Sequence, residues 1–404
     1  MRILGITNLF PTPWQPERAA FNRQQFTALA SEHSLRIIAP VAWSDELSSR
    51  WQNSDWRPKK RSMVVDGIQV EYPRYVFPPR ILRGSYGHCY RQSIGRAFDR
   101  ALNEFHPDIV YATWAYPDGW AAVKLARKAN LPVVVKVHGS DIHLLDKHPA
   151  RKRRTREALC QADGVIAVSE DLARQVVGLG IDSGRVYVVS NGVDSDLFSP
   201  SSRGEARRRL NLSDDRPIIV FVGNLVPVKG VDVLVRACKI FSEEKMDFSC
   251  YLIGRGPLQK SLEHQIQSCG LQGKIQCLGS KPHKELPDWY RAANLVVLPS
   301  HSEGLPNVLL EAVACGTRFV ASDVGGIREI AIGDRGKLVP PGDAAALAQA
   351  IQSMLCDSTQ QSSHLPAISR SFAESARDLA RLLERTIASH HSPMPRVSQI
   401  CPTR

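Results

Sequence analysis

The sequence lacks the features that define several protein classes. None of its apolar stretches reaches the roughly 18 uninterrupted residues that a membrane-spanning helix needs. Its 9 cysteines are odd in number and form no C-x-x-C pair, which argues against a disulfide framework or a thiolate zinc site and favours a reducing compartment. The opening MRILGITNLFPTP has no signal-peptide core or cleavage site, so it predicts a first strand. We therefore expect a cytoplasmic protein.

Acidic residues are in the minority, since 40 Asp and Glu against 52 Lys and Arg give a net charge of +12. A basic surface attracts nucleotides, lipid headgroups and nucleic acid. Three basic runs stand out, at residues 57–61, 80–83 and 151–156. Each run is either a solvated face or a docking patch for the anionic inner face of a membrane. No nucleic-acid-binding motif accompanies the charge, so we expect no nucleic-acid partner.

Short apolar runs alternate with amphipathic stretches along the chain. Near-continuous Val and Ile runs predict strands buried on both faces of a parallel sheet, and the strand–helix alternation predicts a doubly wound α/β fold. Six predicted strands lie on each side of a Gly-, Ser-, Pro- and Arg-rich linker. This organisation predicts Rossmann-like domains at 1–195 and 196–370 with a cleft between them, a final helix at 371–390 and a loose tail at 391–404.

One strand–loop–helix unit in the second half has the character of a phosphate site. The predicted strand PIIVFVGNL ends in Gly223, Asn224 follows it, and Lys229 lies just before a helix that begins at about Val231. Free N–H groups and the helix dipole at such a turn attract phosphate, and a lysine adds a point charge. A plain strand–helix turn with a solvated lysine explains this unit equally well.

A second motif, EGLPNVLLE, places Glu303 and Glu311 eight residues apart. Pro306 suits the first turn of a helix, and the backbone N–H groups of Gly304 and Leu305 are then free to bind a diphosphate. Carboxylates accept two hydroxyl donors at once, so Glu303 suits sugar hydroxyls and Glu311 ribose hydroxyls. Alternatively, Glu303 stabilises the helix dipole and Glu311 is a surface residue.

The segments GNLVPVKG, EGLPNVLLEAVACG and ASDVGGIREI resemble the donor-binding half of the glycosyltransferase family four enzymes. That retaining family, which includes bacterial surface-polysaccharide transferases, has the GT-B fold, in which a C-terminal helix crosses back to the N-terminal domain. The resemblance implies that Glu303 contacts the transferred sugar, Glu311 the ribose and Lys229 the diphosphate. Family members often carry Arg where this chain has Asn224, so diphosphate neutralisation would depend more on Lys229 and on the backbone.

The N-terminal half resembles the family more loosely. His138 follows the predicted strand PVVVKV, and the resemblance implies that it contacts the donor sugar; the alternative is a structural histidine. Asp141 is a candidate cap for the next helix. In the first loop, where the family often has paired glycines, this chain has Ala19 and Ala20, so we expect a less permissive backbone there. Arg18 and Arg23 are candidates for binding an anionic acceptor.

The resemblance implies a retaining hexosyltransferase. It would move a hexose from a UDP- or GDP-sugar to a glycan or lipid-linked acceptor by front-face displacement. No histidine cluster indicates a metal, and we expect no cofactor besides the nucleotide-diphosphate sugar, which is the donor substrate. The alternatives are a GT-B sugar-nucleotide epimerase and a catalytically dead nucleotide-binding scaffold. The sugar, the base, the acceptor and the oligomeric state do not follow from the sequence.

Overall fold

The computed structural model describes residues 1–12, 14–16, 18–51, 61–78, 85–213, 216–356 and 370–391, without the side chains of residues 49–51, 147 and 391. The basic run at 80–83, the first four residues of the run at 57–61 and the predicted loose tail from residue 392 lie outside the described residues. The chain divides into two compact units. The first contains Met1–Gly192 and the segment from Phe372 onward, and the second contains Val193–Ser371. This division falls three residues before the boundary that the sequence predicts.

The first unit is built on a sheet of eight described strands. Their order is β10-β9-β8-β7-β1-β2-β5-β4, and every neighbouring pair is parallel except β4 and β5. Strands β3 and β6 pair separately. The strands are β1 (Arg2–Ile6), β2 (Ser34–Ile38), β3 (Val41–Ala42), β4 (Ser62–Val65), β5 (Ile68–Glu71), β6 (Arg74–Tyr75), β7 (Ile109–Thr113), β8 (Val133–Val137), β9 (Gly164–Ala167) and β10 (Val186–Val188).

Helices cover this sheet, and the last helix of the chain is one of them. The α-helices of the first unit are α1 (Ala20–Ala30), α2 (Trp43–Trp51), α3 (Tyr86–Phe105), α4 (Trp120–Lys128), α5 (Ser140–His143), α6 (Pro149–Gln161), α7 (Glu170–Gly178) and α14 (Phe372–His391). Helix α14 packs along α1. Phe26 and Leu29 of α1 share one apolar core with Leu379 and Leu383 of α14, and all four are at most 1% exposed.

The second unit contains one sheet of six described strands, all parallel, in the order β13-β12-β11-β14-β15-β16. The strands are β11 (Ile218–Val222), β12 (Ser249–Ile253), β13 (Ile275–Gly279), β14 (Leu295–Leu298), β15 (Arg318–Ser322) and β16 (Gly336–Val339). The helices are α8 (Arg203–Arg209), α9 (Val231–Glu243), α10 (Gln259–Ser268), α11 (Leu286–Ala292), α12 (Asn307–Ala314) and α13 (Ala344–Cys356).

The prediction of two doubly wound α/β units is confirmed. All twelve strands expected from the apolar runs form, and the central strands of the second sheet are buried as the Val and Ile runs indicate, with all five residues of β11 and all four of β14 buried. The sequence analysis missed the β4–β5 hairpin. Its turn is Asp66–Gly67, both with positive φ (49° and 80°), and an Asp-Gly pair between apolar residues is the expected signal for such a hairpin.

Each sheet has a point at which the strand order reverses. In the first sheet, β1 lies between β2 on one side and β7 on the other, so the chain reverses direction across the sheet at β1 and β7. In the second sheet, the reversal lies between β11 and β14. Loops that leave the carboxyl ends of these strands diverge and form a crevice, which is where ligands bind in open α/β sheets. The topology therefore directs attention to the loops after β1 and β7 and to those after β11 and β14.

Replacement of Leu383 by Ala tests whether α14 completes the core of the first unit. Because Leu383 is fully buried, we expect the free energy of unfolding of that unit to fall by about 2–5 kcal/mol. Urea unfolding followed by tryptophan fluorescence suits this measurement, since six of the seven tryptophans precede residue 192. Glu384→Ala, at an exposed position on the same helix, is the control and should change stability by less than about 0.5 kcal/mol. Equal effects of the two changes would contradict the prediction.

Candidate functional site

The loops after β11 and β14 bring together two residues that lie far apart in the sequence. Lys229 ends a short 3-10 helix, Pro227–Lys229, immediately before α9. Its Nζ lies 2.6 Å from Oε1 of Glu303, and the Ser300 hydroxyl donates to the same oxygen, also over 2.6 Å. The two separate motifs of the sequence therefore form one charged cluster at the point where the strand order reverses.

The Glu303 carboxylate is held in an almost inaccessible place. Its side chain is 9% exposed, and the ammonium and hydroxyl donors offset the cost of removing the charge from water. Among the described residues, no donor contacts Oε2, so this oxygen remains able to accept a hydroxyl. An oriented carboxylate with one oxygen available is suited to binding a sugar. A role of Glu303 limited to the helix dipole does not account for these contacts.

Glycines let the backbone of neighbouring loops come into direct contact around this cluster. A Cβ on Gly325 would lie 1.9 Å from the Glu303 carbonyl oxygen, and one on Gly254 would lie 1.8 Å from the Gly223 carbonyl oxygen. Gly230 and Pro299 are related in the same way, at 2.1 Å. These distances are far below any real Cβ contact, so no larger residue fits without moving a loop.

The segment between Glu303 and α12 is buried and fixed from the side of β15. Gly304 accepts a hydrogen bond from the Gly326 N–H, 2.8 Å long, and both Gly304 and Leu305 are buried. Within the described residues, no acceptor contacts the backbone N–H of either Gly304 or Leu305. Pro306 is the N-cap of α12 and has an extended backbone (φ −76°, ψ 113°), so it precedes the first turn that we predicted it to open. The segment offers free N–H donors, as the sequence suggested.

Glu311 is buried, which excludes the alternative that it is a surface residue. It is 8% exposed, and its two oxygens accept hydrogen bonds from two different side chains. His283 Nε2 lies 2.9 Å from Oε1, and the Tyr290 hydroxyl donates to Oε2 over 2.8 Å. The sequence analysis did not single out His283 or Tyr290. Their spacing of seven residues in HKELPDWY, two helical turns, was the available signal.

Of the remaining predicted donor residues, Gly223 directly follows β11, which ends one residue earlier than we predicted, and Asn224 is exposed. Asn224 accepts a hydrogen bond from the Val226 N–H through its backbone oxygen, which leaves its side chain at the surface of the loop. Asn224 thus lies next to the Lys229 loop without contributing charge.

In the first unit, the loops after β1 and β7 also meet through buried polar contacts. Asp118 is fully buried and accepts hydrogen bonds at Oδ1 from the Asn8 N–H and from the Tyr90 hydroxyl, the latter over 2.7 Å. Its Oδ2 has no partner among the described residues. Burial raises the pKa of Asp118 to about 7, although both hydrogen bonds favour the charged form. A carboxyl that ionises near neutral pH therefore holds the first loop of the unit.

His138 follows β8 at the same edge of the sheet and lies against two aromatic rings. Its ring centroid is 5.2 Å from that of Phe21 and 6.1 Å from that of Trp114. Its buried Nε2 has no partner among the described residues. Burial, together with the charge of Lys136, holds the pKa of His138 well below its usual value, so the imidazole is neutral. A histidine with a purely structural role would be expected to form a hydrogen bond through this nitrogen.

Two backbone features accompany His138. Trp114 has φ 122°, a conformation that bulky residues avoid and that is found mostly where a site requires it. Asp141 does not cap α5 as expected, because it lies inside the first turn of that helix. It accepts hydrogen bonds from the N–H groups of Ala115, His138 and Gly139 over 2.9–3.0 Å. Asp141 thereby fixes the loop that carries His138.

Two predictions concern the first loop, namely a less permissive backbone at Ala19 and Ala20 and the binding of an anionic acceptor by Arg18 and Arg23. Ala19 adopts the left-handed conformation (φ 51°, ψ 48°) that glycine favours, so the backbone keeps this geometry without a glycine. Arg23 forms a two-pronged ion pair with Asp66, at 2.7 and 2.8 Å, and this lowers the pKa of Asp66. Arg18 lies 3.7 Å from Asp45. Both arginines already face carboxylates, so their binding of an anionic acceptor stays a prediction.

The basic run at 151–156 forms part of α6, and some of its arginines make contacts inside the first unit. Arg154 lies over the Trp120 ring at 5.2 Å and contacts Glu157, and Arg156 donates to the Leu179 carbonyl. Arg153 is exposed. None of the described helices combines the length and the apolar character required to cross a membrane. Docking of this run on a membrane therefore also stays a prediction.

The described residues gather no set of three or more His, Cys, Asp or Glu side chains that could hold a metal ion. The sequence does contain an Asp-x-Asp spacing, a common metal-binding pattern, at Asp194 and Asp196. Asp194 Oδ1 instead accepts hydrogen bonds from the N–H groups of Asp196 and Leu197, over 3.2 and 3.1 Å. These contacts are those of a local turn.

Gly325→Ala tests the contact between loops at Glu303. The added Cβ must displace the Glu303 carbonyl, so we expect a loss of stability of about 2–4 kcal/mol, measured by urea unfolding. Gly333→Ala is a matched control, because Gly333 also has positive φ (62° against 56°) but has no atom within 4 Å of the added Cβ. Both variants place an alanine at positive φ, which strains the backbone. In Gly325→Ala the new Cβ also clashes with the Glu303 carbonyl oxygen. A smaller loss for Gly325→Ala than for Gly333→Ala would contradict this account.

Asp118→Asn tests the pH dependence that its buried carboxyl predicts. Its pKa is about 7 in the folded protein against 3.8 ordinarily, so as pH rises the unfolded chain loses this proton first. The free energy of unfolding should therefore fall between pH 4 and about 7, by roughly 4 kcal/mol. Asn keeps the accepting Oδ1 and cannot ionise. Urea unfolding at pH 5 and pH 8 should show a smaller pH dependence for the variant; identical pH profiles would overturn the assignment.

Comparison with known proteins agrees with the geometry. The family described as Glycosyl transferases group 1 matches residues 202–371, and Glycosyltransferase Family 4 matches residues 26–197. The teichuronic acid biosynthesis glycosyltransferase TuaC of Bacillus subtilis (strain 168) is 29% identical over 362 residues, 87% of this chain and 88% of that protein. The D-inositol 3-phosphate glycosyltransferase 1 of Catenulispora acidiphila is 32% identical over 288 residues, 65% of this chain and 69% of that protein.

A solved structure extends the likeness to the whole fold. The structure of Anabaena HepE in complex with UDP and glucose superimposes with a TM-score of 0.74 at 20% identity, over 95% of this chain and 99% of that chain. At this identity the likeness establishes the fold alone, and the family follows from the sequence matches. The chain therefore belongs to the glycosyltransferases of group 1 and family 4, and its two Rossmann-like units are those of a GT-B fold.

Proposed function

We propose that this glycosyltransferase is a retaining hexosyltransferase that uses a UDP- or GDP-sugar as donor, without a metal ion. The observation that carries the proposal is the contact between Lys229 and Glu303 at the reversal point of the second sheet. A cation for the diphosphate and a carboxylate for the sugar are thereby adjacent, as a nucleotide-diphosphate sugar requires.

The diphosphate would lie on Lys229 and on the loop that begins α12. An ammonium group has three N–H donors, and Glu303 uses one of them, which leaves two for phosphate oxygens. The free N–H groups of Gly304 and Leu305 and the positive end of the α12 dipole add to the attraction. Lys229 and the backbone would in this way supply the positive charge that a metal ion provides in other transferases.

The two glutamates would bind the two sugars of the donor. Oε2 of Glu303 would accept a hydrogen bond from a hydroxyl of the transferred hexose. Glu311 would accept hydrogen bonds from the ribose hydroxyls, as the resemblance implies. Solved structures of Anabaena HepE contain UDP and UDP-glucose, which supports a nucleotide sugar as donor here. The neutral His138 would contact the hexose through Nε2, the nitrogen left without a partner among the described residues.

The environment of Glu303 favours front-face displacement over a covalent intermediate. Oε1 of Glu303 already accepts from Lys229 and Ser300, and the proposal assigns Oε2 to a hydroxyl of the hexose, so neither oxygen is assigned to attack the anomeric carbon. In the proposed step, the bond from the anomeric carbon to the diphosphate breaks and the acceptor oxygen bonds to the same face of that carbon. The acceptor proton passes to the leaving diphosphate, whose charge Lys229 stabilises.

We propose a glycan or lipid-linked acceptor, reached by a cytoplasmic enzyme that docks on the anionic inner face of a membrane. The net charge of +12 supports this proposal, as does the exposed position of Arg153 on α6. The name of the relative TuaC refers to a cell-surface polymer, which also agrees with such an acceptor. Arg18 and Arg23 would join acceptor binding only by exchanging their present carboxylate partners for an anionic acceptor.

Two variants separate donor binding from transfer. Lys229→Ala should weaken the binding of UDP or GDP about tenfold or more, because the diphosphate loses its main cation. Glu303→Gln should keep nucleotide binding within a fewfold and lower the release of UDP or GDP from the matching nucleotide sugar by at least 100-fold. Isothermal titration calorimetry measures the first effect, and an assay of nucleotide release, without added metal, measures the second.

Lys239→Ala is the control for these variants, since Lys239 is an exposed residue of α9 outside the site. It should leave both nucleotide binding and nucleotide release unchanged. Wild-type protein that binds neither UDP nor GDP would refute the proposed donor. Full transfer activity of Glu303→Gln would refute the role of Glu303.

A further inference from the structure

Two residues of one continuous helical segment hold the Glu311 carboxylate. His283 begins a 3-10 helix, His283–Glu285, which runs directly into α11, where Tyr290 lies. The seven-residue spacing puts both side chains on one face of this segment, opposite Glu311 on α12. Each side chain donates to a different carboxylate oxygen. The carboxylate plane is therefore fixed by two contacts that come from one piece of secondary structure.

The protonation states follow from the chemistry of the partners. A carboxylate only accepts, so His283 Nε2 carries the proton that it shares with Glu311. Burial and the nearby Glu311 charge raise the pKa of Tyr290 well above its usual value, so its hydroxyl stays protonated and donates. A carboxylate has about four lone-pair positions, and two donors leave two free. Glu311 can then accept two further hydrogen bonds in a set geometry.

Packing holds the two donors in place. The Phe198 ring lies 5.0 Å from the His283 ring and 6.0 Å from the Tyr290 ring, measured between centroids. The Tyr290 carbonyl also accepts a hydrogen bond from the Thr317 hydroxyl over 2.7 Å, and Tyr290 is fully buried. The His283 side chain is 23% exposed, so it is the accessible member of the arrangement. A change at His283 therefore disturbs the core less than one at Tyr290.

We propose that His283 is a positioning residue for donor binding, which acts through Glu311 to orient that carboxylate toward the two ribose hydroxyls of the nucleotide. The inference rests on the proposed function, because it requires Glu311 to bind the ribose. Loss of the His283 N–H would leave Tyr290 as the side chain among the described residues that still donates to the Glu311 carboxylate. The ribose contacts would then weaken, whereas contacts to the base and the diphosphate would not.

The ribose hydroxyls themselves provide the test. The full-length protein is titrated with UDP and GDP and with their 2′,3′-dideoxy forms, and the nucleotide that binds the wild type more tightly is used throughout. We expect the wild type to bind the ribonucleotide at least tenfold more tightly than its dideoxy form. His283→Leu keeps an apolar contact with Phe198. It should lower the affinity for the ribonucleotide about tenfold and the affinity for the dideoxy form by less than twofold.

Conservative and control variants separate positioning from a general structural role. His283→Gln restores an N–H donor at about the position of Nε2, and its ribonucleotide affinity should return to within about threefold of the wild type. His264→Leu, at an exposed histidine of α10 in the same unit, should have no effect on either ligand. Melting temperatures of all variants, measured without nucleotide, exclude a loss of fold as the cause.

Each contrary result has a distinct meaning. Equal weakening of the ribonucleotide and of the dideoxy form by His283→Leu would overturn the inference and leave the proposed function standing, and so would the absence of any effect. A wild type that binds both forms equally would remove the ribose role of Glu311, and the inference would fall with it. Absence of binding of either nucleotide would refute the proposed donor and the inference together.

Discussion

Direct contact between backbone loops at one edge of the second sheet determines the geometry of the candidate site. The loops after β11, β12, β14 and β15 approach so closely that Gly230, Gly254 and Gly325 have no room for a side chain. This contact brings Lys229 within 2.6 Å of Glu303 and fixes the buried segment that precedes α12. The charged groups are therefore oriented before a ligand arrives, so little of the binding free energy is used to order them.

The buried carboxyls at the two sheet edges described above differ in their partners. In the second unit, each buried glutamate meets donors, so its negative charge is compensated inside the protein. In the first unit, burial raises the pKa of both Asp118 and Asp141, and no cation lies among their hydrogen-bond partners. The second unit is thus suited to holding a charged ligand in a fixed place. In the first unit, Asp118 and Asp141 hold the loops through backbone N–H and hydroxyl donors.

The sequence predicted the fold because its strands and helix starts have local signals. Apolar runs gave all twelve main strands, and the spacing of Glu303 and Glu311 around Pro306 indicated a helix start. The β4–β5 hairpin was missed because β4 is short and no residue of it is buried, so the Asp-Gly turn is its main signal. His283 and Tyr290 could not be assigned, since their function depends on a carboxylate of another helix. The partners of Arg18 and Arg23 likewise arise only from tertiary contact.

The position of α14 has a consequence for how the chain folds during its synthesis. The first unit contains the first 192 residues and α14, so the whole second unit is made before the helix that completes the first. At 5–20 residues per second, this interval lasts roughly 10–40 s. During that time Phe26 and Leu29 can pack on the first sheet, but the part of their apolar core that α14 supplies is missing. The core of the first unit therefore stays incomplete for as long as the ribosome takes to finish the second unit.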